Sequence, residues 1–129
     1  MSPALQSIWF VEDVIADEQT NKITLEGIFN VIDVPPGAET YDTPWILFFA
    51  VSGVRGRLQM RLLFVDLTTL DVLLDRPVII EMDDPFEITD MWVRVNTLPA
   101  PRAGAYAWEL HWDGTTVGSS RLMIREGEQ

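Results

Sequence analysis

Tyr106, Trp108, Leu110 and Trp112 alternate with Ala105, Ala107, Glu109 and His111, and Asp113-Gly114 follows at once. A period of two sets the four large side chains on one face of a strand. Asp-Gly suits the two positive-φ positions of a tight reversal. The run 117–125 then returns with Leu122 and Ile124 inward. This unit predicts an antiparallel hairpin with one buried face and one polar face.

The rest of the chain repeats the theme. Strands are expected at 8–16 and 23–34, with the polar turn DEQTNK between them. Within the second, Ile23, Leu25 and Phe29 share a side, and Gly27 marks a bulge or a passage from an exposed to a covered setting. PPGAETYDTP at 35–44 is a loop, because its prolines cannot continue a ladder. WILFFAV at 45–51 is apolar on both faces, the mark of a strand covered on both sides or lying at an interface. Gly53 to Gly56 turns the chain into 57–66, where Leu58, Met60, Leu62 and Phe64 alternate with Arg57, Gln59 and Arg61. Segments 71–74 and 78–82 form one kinked strand or two, and Pro77 places them at a sheet edge or a strand start. A strand at 88–95, a loop at 96–104 and the closing hairpin complete the chain. The one helical candidate is Ser2–Ser7, with Ser2 as cap and Pro3 first. The tail 126–129 is expected to fray. About eight strands without intervening helices predict an all-β fold, an antiparallel two-sheet β-sandwich filling 1–129 as one domain.

Two stretches resemble a family of uncharacterised bacterial proteins of unknown function. They are VEDVIADEQTNKITLEGIFNVID and GAYAWELHWDGTTVGSSRLMIR, roughly a third of the chain. The family's usual opening has a cysteine near position 13, where this chain has Asp13 after Glu12. The resemblance implies a β-sandwich and a bacterial source, and it brings no activity.

Composition narrows the chemistry. With 47% hydrophobic residues, 5 Trp and 6 Phe, the 129-residue chain has apolar surface enough for a core. There is no cysteine, which removes disulfides, thiolate nucleophiles and Cys-based metal sites. The opening residues lack a basic start and a long apolar run, so a cytoplasmic location is expected. The net charge is −11 and Lys22 is the single lysine, so nucleic acid and membrane surfaces are not expected partners.

Candidate sites are few. Glu109, His111 and Asp113 alternate along one strand, and a carboxylate and an imidazole two apart can share a metal or relay a proton. The competing reading is the solvent face opposite Trp108 and Trp112. Glu81, Asp83, Asp84, Glu87 and Asp90 crowd a turn around Pro85, and Asp83, Asp84 and Glu87 offer oxygen ligands to calcium, but without EF-hand spacing or a loop glycine. A solvated acidic turn explains them as well. No Ser-based elbow, second histidine or phosphate-binding glycine loop is present. Five tryptophans are many for this volume, and Trp9 and Trp92 are the candidates to reach the surface as ligand-binding aromatics. The expected role is a non-enzymatic interaction or assembly module, self-associating or bound to a protein partner, with no cofactor. The alternative is a sandwich that binds a carbohydrate or calcium.

Overall fold

The alternating rows fold as a two-layer β structure. The computed structural model describes residues 2–127. Among them the strands are β1 (Ala4–Val11), β2 (Asp13–Asp17), β3 (Lys22–Glu26), β4 (Val31–Val34), β5 (Thr40–Tyr41), β6 (Trp45–Ser52), β7 (Gly56–Asp66), β8 (Val72–Met82), β9 (Thr89–Val95), β10 (Leu98–Pro99), β11 (Gly104–Trp112) and β12 (Thr115–Glu126). One sheet has the order β1-β6-β9 and the other β4-β12-β11-β7-β8. Two small ribbons, β2-β3 and β10-β5, complete the fold. Among the described residues all strand pairings are antiparallel except β4 with β12.

Each sheet turns its period-two row inward. Phe10, Trp45, Leu47, Phe49, Val51 and Val95 of the smaller sheet meet Met60, Leu62, Phe64, Ile80, Tyr106, Trp108, Leu110, Leu122 and Ile124 of the larger one in a single core. Trp45 and Trp108 join the layers edge to face, with ring centroids 6.0 Å apart. Asp113 and Gly114, at φ 51 and 74, form the tight reversal that the sequence predicts.

At one end of the core, Tyr106 stitches a loop to its own strand. Its hydroxyl donates to the Arg102 carbonyl at 2.6 Å and receives the Arg102 N–H at 3.3 Å. This is a tyrosine corner of the kind seen in β-sandwiches. Burial pushes the Tyr106 phenol up from its ordinary value. Beside it lies Asp66, 1% exposed and the one buried charged residue among those described. Its Oδ1 accepts the Thr68 N–H at 2.9 Å, and its Oδ2 lies 3.1 Å from Arg102 Nε.

Several expectations change. Ser2–Ser7 is not helical, because Ala4 onward pairs with β6 as strand β1. Segment 8–16 is two strands: at Glu12 the chain leaves β6, and the Glu12 N–H turns to the Glu26 and Gly27 carbonyls. Segment 23–34 also divides, since Gly27 at φ 65 ends the β2-β3 ribbon and lets the chain cross to the larger sheet as β4. Asp71 stays outside β8, which runs unbroken through Pro77 and is an edge strand, where proline is tolerated. The tail is held further than expected: Glu126 ends β12 and the Gly127 N–H donates to the Val34 carbonyl at 2.8 Å. Residues 128–129 lie outside those described.

Candidate functional site

Strand β6 is central in its sheet, with β1 on one side and β9 on the other. Its inner residues, Trp45, Leu47, Phe49 and Val51, fill the core. The same pleat sends Ile46, Phe48 and Ala50 to the opposite face. The register places Trp9 beside Phe48 and Phe48 beside Trp92, so three aromatic residues form one rung across all three strands. Trp9 is 46% exposed and Trp92 43%, while Phe48 between them is 6% exposed. Phe48 and Trp92 stack, with centroids 6.2 Å apart and planes 19° from parallel. The next rung toward one end is Ser7, Ala50 and Asp90, and toward the other Val11, Ile46 and Arg94.

Both tryptophans that the sequence offers as surface aromatics thus stand on this face, on the same rung. The sequence does not mark Phe48 and Arg94, and it places Asp90 only among the acidic residues around Pro85. The signal for them was present: WILFFAV is apolar on both parities, and Asp90 and Arg94 flank Trp92 at a spacing of two. A groove of about 390 Å³ runs along the β1 edge beside the rung, lined by Trp9, Ile28, Phe29, Asn30, Ser120 and Arg121.

The polar candidates lie elsewhere. Glu109 and His111 are brought together on the outer face of the larger sheet, with Oε1 and Nε2 2.8 Å apart. Asp113 is drawn into the reversal after β11 and makes no bond to either. Next to them the Arg61 Nε donates to Asp75 at 2.8 Å, a bond that holds the guanidinium above its ordinary value. Arg61, Asp75, His111, Trp112 and Asp113 border a shallow cavity of about 340 Å³. Glu109 already engages His111, and the nearest hydroxyl, Thr116 Oγ1, is 3.4 Å from Nε2. Both contacts fall on Nε2 and orient the imidazole.

Asp83, Asp84 and Glu87 are all exposed. Asp84 spends its side chain on the turn, accepting the Phe86 N–H at 2.9 Å, while its carbonyl accepts the Glu87 N–H at 3.1 Å. Among the described residues no group of three or more histidine or acidic side chains is placed to hold a metal ion. Neither the Glu109, His111, Asp113 set nor the Asp83, Asp84, Glu87 set therefore converges on a point. Among the described residues no helix is long and apolar enough to cross a membrane. No protein-family model matches the chain, and no match was found among curated proteins.

Proposed function

We propose that the chain is a non-enzymatic interaction module that self-associates through the outer face of the β1-β6-β9 sheet. The rung Trp9, Phe48, Trp92 carries this reading. Two exposed indoles around a covered phenyl ring match the composition of interface centres, which are rich in aromatics and poor in charge. Exposed Ile88 and Phe86 extend the apolar surface beyond the Asp90 end. Three strands about 5 Å apart and about seven residues long give a footprint of only a few hundred Å². That size fits weak, transient association. The proposed setting is the cytoplasm, in keeping with a cysteine-free chain.

Light scattering after size exclusion, run across a wide concentration range, tests this. The expected result is a mass that rises with concentration, and a monomer when Trp9 and Trp92 are both replaced by serine with the circular dichroism unchanged. A wild-type protein that stays monomeric at every concentration overturns the reading.

A second reading rests on the same two indoles. They stand two strand spacings apart, about 10 Å, and flat rings at such intervals can support a sugar chain. A melting temperature raised by oligosaccharides, and unaffected by them in the double serine variant, would favour it.

A further inference from the structure

The chain carries a net charge of −11, yet β1, β6 and β9 hold between them one acidic and one basic residue, Asp90 and Arg94. Both lie on β9 and on the outward parity, one rung to either side of Trp92. Both are exposed, and neither has an ion-pair partner among the described residues. Arg94 Nε donates to Asn96 Oδ1 at 2.9 Å. Glu12 and Asp13 border a small cavity with Arg94 without reaching ion-pair distance. The three strands themselves thus carry no net charge, and their single opposite-charge pair stands symmetrically about the aromatic rung.

We infer that the partner of this face is a second copy, related by a two-fold axis that runs along the Trp9, Phe48, Trp92 rung. The inference rests on the self-association reading and adds its geometry. Identical copies meet face to face about an axis lying in the interface. An axis parallel to the strands through β6 sets Asp90 over Ser7 of the second copy and Arg94 over its Val11, leaving both charges uncompensated. The same axis through β9 sets Asp90 over Asp90 and Arg94 over Arg94. An axis along the rung reverses each strand over itself, so that Asp90 of each protomer faces Arg94 of the other. Trp92 then packs on Trp92, and Trp9 on Trp9. Of these three arrangements only the last pairs both charges, and mismatched charge at a desolvating contact selects strongly against the other two.

Charge reversal tests the geometry. Asp90→Arg and Arg94→Asp are made separately, and the two variants are also mixed in equal amounts. Each reversal converts two attractive pairs into two repulsive ones, so each variant alone should self-associate about tenfold more weakly or worse. The mixture should recover wild-type affinity, because one copy then presents two arginines and the other two acids. Unchanged dimerisation of the single variants, or failure of the mixture to recover, overturns the proposed axis. A monomeric wild type overturns the underlying self-association instead. Melting curves of each variant confirm that a loss of association is not a loss of fold.

Discussion

Asn21 and Leu70 hold the same place in two turns that share three hydrogen bonds. In the first, Asp17 Oδ1 accepts the Gln19 N–H at 2.9 Å, and the Asp17 carbonyl accepts the Asn21 N–H at 2.8 Å. In the second, Asp66 Oδ1 accepts the Thr68 N–H at 2.9 Å, and the Asp66 carbonyl accepts the Leu70 N–H at 2.7 Å. Thr20 and Thr69 each receive the N–H two residues on, at 3.3 and 3.2 Å. The fifth residue is left-handed in both, at φ 57 and φ 66. Asparagine adopts that conformation readily and leucine does not.

Leu70 is 73% exposed, so its side chain gains little burial to offset the strain. Leu70→Asn and Leu70→Gly should each stabilise the fold by about 0.5–1 kcal/mol. Asn21→Leu should cost a similar amount. Urea unfolding midpoints measure all three, and a destabilised Leu70→Asn variant would show that the leucine makes contacts that outweigh its backbone.

The tyrosine corner should be sensitive to a single oxygen. Tyr106→Phe leaves the Arg102 carbonyl and N–H without their buried partner, at a cost of about 1–2 kcal/mol. Burial raises the folded phenol above its ordinary value of 10.0. The unfolded chain therefore releases this proton first. The stability tied to the neutral phenol is complete below about pH 10 and is lost as pH climbs from there through the folded value. Melting temperature followed from pH 8 to 11 should fall less steeply for Tyr106→Phe than for wild type.

Two arginine ion pairs make a comparison in burial. Arg102 faces Asp66, whose side chain is 1% exposed, whereas Arg125 and Asp33 are both more than half exposed. Arg102→Ala leaves a buried carboxylate with only the Thr68 N–H and should cost about 1–3 kcal/mol. Arg125→Ala should cost about 0.5 kcal/mol or less. Equal losses in chemical denaturation would contradict the assignment of Asp66 to the interior.

Gly27 should resist substitution for two separable reasons. Its φ of 65 disfavours any side chain, and an added Cβ would run into the Glu12 carboxylate. Gly27→Ala should destabilise by about 1–2 kcal/mol. Glu12→Ala in the same chain removes the collision and leaves the backbone strain, so a double-mutant cycle should return part of the loss.

Much of this fold could be read where pleat and burial agree. Tyr106 through Trp112 alternate because one face meets the core, and Asp113-Gly114 fixes where the chain reverses. Trp9 and Trp92 could be marked as surface aromatics because polar neighbours share their faces. Reading failed where one apolar run serves two sheets. Residues 8–16 and 23–34 each look continuous, but Glu12 and Gly27 break them, and only the change of pairing partner reveals it. The opening residues resemble a capped helix locally, and their pairing with β6 overrides that preference. Phe48 was hidden among seven consecutive apolar residues until neighbouring strands gave its parity a meaning. Glu109 and His111 were correctly placed on one face, while Asp113 was claimed by the reversal.

The parallel pairing of β4 with β12 constrains the order in which the larger sheet can be finished. Asp33 meets Arg125 across a separation of 92 residues. The residues between them must all be made before β4 finds its neighbour, so this edge strand has no partner in the larger sheet until β12 exists. Closing so long a loop is slow. Capture of this four-residue strand cannot precede β12, and until it occurs the outer edge of β12 is open to other chains.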